Sequence, residues 1–276
     1  LISDEGHATD LITNEAIKFI NKKREKNVPF FLYVAYTVPH SPLDESQEWT
    51  EMYGQSIKNE SRLKFAASVT HMDYSINQIL TSVEKAGVKD NTILMFLSDN
   101  GGQECWFSKT EYGGKFKAHD VLGNNKPLRD WKGSLYEGAL RVPAFLVWPG
   151  KINYSKINAP IGVLDIYPTF ASLANINVPD SLKIEGINFW PIIKGESNEK
   201  ERALYWRLNN AFAFRKGDWK LIHKGDNINE GVDELYNISI DPYETNDQSQ
   251  INTKKLSELK SELENHIKFD ITKKFK

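Results

Sequence analysis

Residues 91–98, NTILMFLS, run without a break into Asp99-Asn100-Gly101-Gly102. A short apolar run that stops abruptly at polar residues is the pattern of a strand buried on both faces. Such a strand needs helices to cover it, which commits the chain to a layered α/β arrangement. Residues 29–37, PFFLYVAYT, repeat the pattern and end in Val38-Pro39-His40-Ser41-Pro42. Two prolines around a histidine impose an extended turn at that strand end.

The segments between these runs have helical spacing. Leu11, Ile12, Ala16, Ile17, Phe19 and Ile20 predict a helix over 9–26, capped by Thr9 or Asp10. Phe65, Val69, Met72, Ile76, Ile79, Leu80 and Val83 predict a long amphipathic helix over 61–86. A third strand is expected at 142–148 and a further helix at 165–174. Strands alternating with helices predict an α/β fold with a largely parallel central sheet flanked by helices. The pattern changes near residue 200. Short strands at 203–208, 211–215, 219–223 and 234–237, separated by Asn, Gly and Asp, predict an antiparallel sheet, and 254–269 predicts a final helix. The expected organisation is therefore 1–199 as the main α/β domain and 200–276 as a small α+β subdomain.

With 276 residues, 40% hydrophobic and 26% charged, the chain is long enough for a sizeable core. A formal charge of −2 gives no global attraction to nucleic acid or an anionic membrane. The longest apolar runs, 29–35 and 92–97, are far shorter than the roughly 20 residues a membrane helix needs. The single cysteine, Cys105, excludes an intramolecular disulfide and leaves the compartment open. The chain starts at Leu1-Ile2-Ser3-Asp4, neither an initiator Met nor a signal peptide, and reads as cut from something longer.

In open α/β sheets, ligands bind beyond the carboxyl ends of the strands. His40 and Asp99-Asn100 stand at two such ends. A carboxylate beside an amide oxygen suits a hard cation such as Ca²⁺ or Mg²⁺. Taken alone, the same four residues are also an ordinary turn, and a lone His after a strand is as well explained by structure. Lys132 precedes a Gly-punctuated turn leading into the 142–148 strand. It is either an anion-binding point charge or a solvated lysine. Glu137 and Arg141, four apart, are expected to form an architectural pair within the loop. The irregular stretch 103–132 carries Lys109, Lys115, Lys117, His119, Lys126 and Arg129 together with Trp106, Phe107, Tyr112 and Phe116. Against Glu104, Glu111, Asp120 and Asp130, the local basic excess suits an anionic ligand, and a solvated loop explains it as well.

Taken in order, these segments resemble the type I sulfatases of the alkaline-phosphatase superfamily. PFFLYVAYTVPHSPL resembles the family's strand ending in Pro-His-x-Pro, and TILMFLSDNGG its metal-binding strand end. LRDWKGSLYEGALRVPAFLVWPG resembles its Gly-Lys-x-x-x-Tyr-Glu-Gly-Gly-x-Arg-Val-Pro block, with Trp131 in place of the glycine before the lysine and Ala139 in place of the second glycine after the Glu. VLDIYPTFASLANI, FRKGDWKLI and ELYNISIDPYETND follow, so the likeness covers nearly the whole chain. It implies an alkaline-phosphatase-like fold and one Ca²⁺ per site, with Asp99 and Asn100 as two of its ligands. It implies that Lys132 holds a sulfate oxygen and that His40 contacts the ester and protonates the leaving alcohol. With His119 and Arg129 as further substrate contacts, the expected substrate is a sulfated polysaccharide or oligosaccharide.

The family's nucleophile is a formylglycine made from Cys or Ser in Cys/Ser-x-Pro-x-Arg, and no such motif occurs in these residues. The formylglycine, and further metal and substrate contacts, are expected in an N-terminal part that would be this chain's partner. Periplasmic or secreted placement in a bacterium is what the family implies. Two alternatives stay open: a phosphomonoester or phosphonate hydrolase of the same superfamily, and a binder of sulfated ligands without turnover.

Overall fold

The computed structural model describes residues 5–26, 28–197 and 201–269. Leu1-Ile2-Ser3-Asp4 and the expected boundary at 199/200 lie outside these residues. The chain forms two compact units: Leu1–Asn125 with Val142–Lys151, and Lys126–Arg141 with Ile152–Lys276.

In the first unit, helix α1 (Ala8–Lys26) packs along helix α3 (Glu60–Lys85), with the short α2 (Gln47–Glu51) beside α3. The caps are local. His7 Nδ1 accepts the Thr9 N–H (3.3 Å) at the start of α1, and Asn59 Oδ1 accepts the Arg62 N–H (2.9 Å) at the start of α3. The buried stripe of α3 is Ala67, Ser68, His71, Ser75, Ser82 and Val83. Val69 and Leu80, expected inside from their apolar character, are exposed. Small and hydroxylated residues occupy the stripe instead, which lets a neighbouring helix approach closely.

Strand β1 (Leu94–Leu97) pairs with β2 (Ala144–Val147) in register Leu94↔Val147 to Leu97↔Ala144. The pair is antiparallel, so the one ladder of this unit among the described residues differs from the parallel pairing expected. The long excursion between the strands reverses the chain, and the Ser98 N–H to Pro143 C=O bond (3.2 Å) closes it. Residues 29–37 enter no ladder among the described residues. Their burial nevertheless alternates with the strand period: Phe30 and Leu32 pack on Ile20, Val83 and Ala86, while Phe31 and Tyr33 are exposed.

The second unit is organised on a four-stranded antiparallel sheet in the order β3 (Ala203–Leu208), β4 (Ala211–Lys216), β5 (Trp219–Asn227), β6 (Glu230–Asn237). Period-2 alternation gives it two apolar faces. Phe212, Phe214, Leu221 and Leu235 pack on Leu259 and Leu263 of helix α7 (Thr253–Lys268). Ala213, Ile222 and Tyr236 face the other way, onto Leu135 and Tyr136. That second contact places the 126–141 segment in the same compact unit as the sheet. Short helices α4 (Glu137–Leu140), α5 (Ile166–Leu173) and α6 (Trp190–Ile193) complete the unit. Asp165 ties the chain before α5 to the Gly162 and Ile187 N–H groups and to Arg202. No helix among the described residues is long and apolar enough to cross a membrane.

Candidate active site

His40 sits in the turn that follows residues 29–37. The turn is closed by the His40 N–H to Thr37 C=O bond (3.1 Å) and has cis peptides at Val38–Pro39 and Ser41–Pro42. His40 is exposed, and its Nδ1 lies 2.5 Å from the Ser41 carbonyl oxygen. A carbonyl only accepts, so Nδ1 carries a proton and Nε2 is the nitrogen left for chemistry.

The segment after His40 is pinned twice. Leu43 is buried against Trp106 and Leu122. The Glu45 carboxylate, with its side chain 1% exposed, accepts from Ser68 Oγ (2.7 Å) and contacts His71 Nδ1 (2.8 Å), both on α3. His71 Nε2 in turn faces Asp10 of α1 at 3.1 Å, and Trp49 stacks on the ring at 4.4 Å. His7, Glu45 and His71 bring potential ligand atoms within 4.8 Å of one another. Because His7 Nδ1 accepts from Thr9, its proton sits on Nε2, which faces Glu45 at 3.5 Å. Protons between these side chains account for the geometry, so the group is a hydrogen-bonded network that holds the turn onto two helices.

Asp99 and Asn100 follow the end of β1. Ser98 Oγ donates to the Asn100 carbonyl (2.9 Å), and Asn100 Nδ2 donates to the Gly101 carbonyl (3.0 Å). The Gly102 N–H and C=O both bond to the Asn125 side chain, at 3.0 and 2.6 Å. A Cβ at Gly102 would lie 3.2 Å from Asn125 Oδ1, so the amide fits closely because this residue is glycine. Asp99 is exposed. A carboxylate beside an amide oxygen, on a backbone fastened from behind, fits the donor chemistry of Ca²⁺. These two residues would supply part of the roughly six to eight oxygens the ion takes.

His119 is buried at 3%, bridged to Trp106 by two backbone bonds of 2.7 Å and stacked on its ring. Burial, aided by the positive charge of Lys64, lowers its pKa and favours the neutral ring. Trp106 is itself in the core, whereas Phe107 and Tyr112 are exposed, Tyr112 with φ +56°.

Lys132 lies in the second unit, half-buried, in a loop that closes on itself. The Gly138 N–H donates to the Arg129 carbonyl (2.8 Å), and Asp130 and Gly133 adopt positive φ (+65° and +87°) between them. A Cβ at Gly138 would lie 2.1 Å from the Asp130 carbonyl oxygen and 2.4 Å from that of Arg129. Arg129 is committed to the sheet side of this loop. It donates to Tyr236 Oη (2.8 Å), Tyr136 Oη (3.1 Å) and the Glu244 carbonyl (3.0 Å), and its guanidinium stacks on the Tyr136 ring at 3.8 Å. Glu234 completes this network; burial pushes its carboxyl up, but the hydrogen bonds it accepts from Lys224, Tyr236 and Tyr136 outweigh that and hold it below the usual range.

Sequence reasoning did not pick out Lys220. Its ammonium is fully buried between Glu137 Oε1 (2.9 Å) and Glu244 Oε1 (2.8 Å). The expected Glu137–Arg141 pair is present at 4.0 Å, as the longer of Glu137's two contacts. A signal was there to read: in WKLIH, alternation puts Lys220 on the same face as Ile222, an inward position for a charge.

The family models agree with the motif order. The model described as "Sulfatase" matches residues 2–176, and that described as "N-sulphoglucosamine sulphohydrolase, C-terminal" matches residues 130–273. The N-acetylgalactosamine-6-O-sulfatase of Bacteroides thetaiotaomicron is 28% identical over 96% of this chain and 52% of its own length. The mouse (Mus musculus) N-acetylgalactosamine-6-sulfatase is 29% identical over 78% of this chain and 38% of its own. The chain thus spans about half or less of the length of these relatives. The crystal structure of Ps i-CgsB superposes with a TM-score of 0.82 at 32% identity, covering 96% of this chain and 55% of that one. The same protein has been solved in complex with k-i-k-neocarrahexaose. A sulfatase match over more than half the chain, together with this superposition, places the protein in the sulfatase family of the alkaline-phosphatase superfamily, with that superfamily's fold.

Proposed function

We propose that this chain contributes to the hydrolysis of sulfate esters on a carbohydrate. The observation that carries the proposal is the His40 turn. An exposed imidazole is held through Nδ1 by the Ser41 carbonyl, on a segment braced by Glu45, so that Nε2 alone meets the ligand. Relatives named as N-acetylgalactosamine-6-sulfatases, and a structural neighbour solved with k-i-k-neocarrahexaose, support a sulfated sugar as the substrate class.

The roles follow from the charge changes of the reaction. A sulfate monoester is an anion, and nucleophilic attack builds further negative charge on the sulfuryl oxygens. Lys132 binds one of those oxygens as a fixed cation, held on a loop that needs no rearrangement when charge develops. Asp99 and Asn100 would hold Ca²⁺, which would supply positive charge to stabilise the negative charge that develops on the sulfuryl group. As the sulfur–oxygen bond to the sugar breaks, the imidazolium of His40 gives its Nε2 proton to the departing alkoxide, while Nδ1 keeps its own proton and donates it in a hydrogen bond to the Ser41 carbonyl. The nucleophile would be a formylglycine outside these residues. Arg129 and His119 act in support, one committed to Tyr136 and Tyr236, the other buried beneath Trp106. Export to the periplasm or medium would suit a polysaccharide substrate.

The test is turnover by the complete protein on three probes: a sulfated oligosaccharide, a small aryl sulfate and an aryl phosphate. Sulfate release with preference for the sugar supports the proposal. Preference for the phosphate would move the chain to the phosphoester hydrolases of the superfamily. Binding without release would leave it a sulfated-ligand binder.

A further inference from the structure

The second unit buries a charged triad away from the surface. Lys220, on the central strand β5, has a 0% exposed side chain, as does Glu244; Glu137 is 5% exposed. Burying three charges demands a return, since an apolar trio of the same volume is often as stable or more so. What the charges add is direction. Glu137 is fixed through its carboxylate to Lys220 (2.9 Å) and through its backbone N–H to Glu244 Oε2 (2.7 Å). It thus has one position along the sheet, where an apolar side chain could slide.

Glu137 stands at the base of the Lys132 loop. Its neighbour Gly138 closes that loop on Arg129 with no room for a Cβ, and Arg129 and Tyr136 are themselves anchored to Tyr236, Glu234 and Lys224. Both ends of the loop are therefore referenced to the β5–β6 pair. We infer that Lys220 is a positioning residue for Lys132. Through Glu137 and Glu244, the antiparallel sheet sets where the Lys132 ammonium stands, and so belongs to the catalytic apparatus. This rests on the role given to Lys132 above. A displacement of about 1 Å in such a group is enough to cost on the order of 100-fold in rate.

The test is a double-mutant cycle in the complete protein. One arm neutralises the triad with Lys220→Met, Glu137→Gln and Glu244→Gln together, which removes all three buried charges at once; Arg141, 51% exposed, gives up its 4.0 Å contact with Glu137 to solvent. The other arm is Lys132→Ala. With Lys132 present, the neutralised triad should keep its thermal midpoint within a few degrees and lose about tenfold or more in kcat/KM. The affinity of inorganic sulfate as an inhibitor should fall with it. In the Lys132→Ala background the same replacement should change kcat/KM less than about twofold. Equal losses in both backgrounds, or no loss with Lys132 present, overturn the positioning role alone. An inconsequential Lys132→Ala overturns the role of Lys132 itself and the inference with it. If the triple variant does not fold, Glu244→Gln, which keeps the Lys220–Glu137 pair, is carried through the same cycle with the same criteria.

Discussion

The Nδ1 atom of His40 lies 2.5 Å from the carbonyl oxygen of Ser41, its immediate neighbour. The contact decides which ring nitrogen can serve a ligand, and it does so within one dipeptide. If His40 is the general acid, His40→Ala should reduce kcat on sugar sulfates by about 10²- to 10⁴-fold. An aryl sulfate with a good leaving group needs little protonation and should lose far less. Steady-state rates on the two substrates check this, and equal losses would remove the general-acid role.

Asp99 supplies the only side-chain charge in the Asp99-Asn100-Gly101-Gly102 turn. Asp99→Asn keeps the shape and an oxygen while removing that charge. Half-maximal activity of the complete protein should then require at least about tenfold more Ca²⁺, since affinity in such sites follows the charge of the ligand set. A calcium titration of metal-stripped protein measures it, and an unchanged midpoint would place the ion elsewhere.

Gly138→Ala should be among the most damaging single methyl additions in the second unit. The new Cβ would meet two backbone carbonyl oxygens at 2.1 and 2.4 Å, and backbone cannot yield as a flexible side chain can. The expected loss is about 3 kcal/mol of unfolding free energy or more. Urea unfolding of the variant against the parent is the check, and parental stability would show that the loop closes without the Arg129 contact.

His119 gives a pH signature. Burial, with Lys64, lowers its pKa from the ordinary 6.5, so the unfolded chain takes up the proton first. Its contribution to stability is therefore complete above pH 6.5 and is lost as the pH falls from there through the lower folded value. His119→Gln should flatten that part of the stability–pH curve, as read from urea midpoints at successive pH values. An unchanged slope would assign the titration to another group.

Local chemistry made much of this fold legible. The 94–97, 144–147 and post-200 strands and the final helix follow from apolar period and turn residues, whereas Thr9 and Asp10, expected to cap the first helix, lie inside it, and His7 takes the capping position. His40, Asp99 and Asn100 could be named because each follows an apolar run that does not need them, and Lys132 because it precedes a Gly-punctuated turn; the ordered motifs supplied the roles expected of them.

The antiparallel pairing of Leu94–Leu97 with Ala144–Val147 was not legible, because an apolar run marks a strand and is silent on the direction of its neighbour; Phe145 and Val147, expected inside, are exposed among the described residues. The partners of Arg129 and Lys220 were hidden for a similar reason. Arg129 meets Tyr236, and Lys220 meets Glu137, across about a hundred residues of chain, through contacts that exist only once the sheet has formed. The sequence by itself determined where the main strands and helices run and which side chains are candidates for chemistry, since these depend on near neighbours. Tertiary structure alone decided which charges are buried together, because that depends on which strands lie side by side.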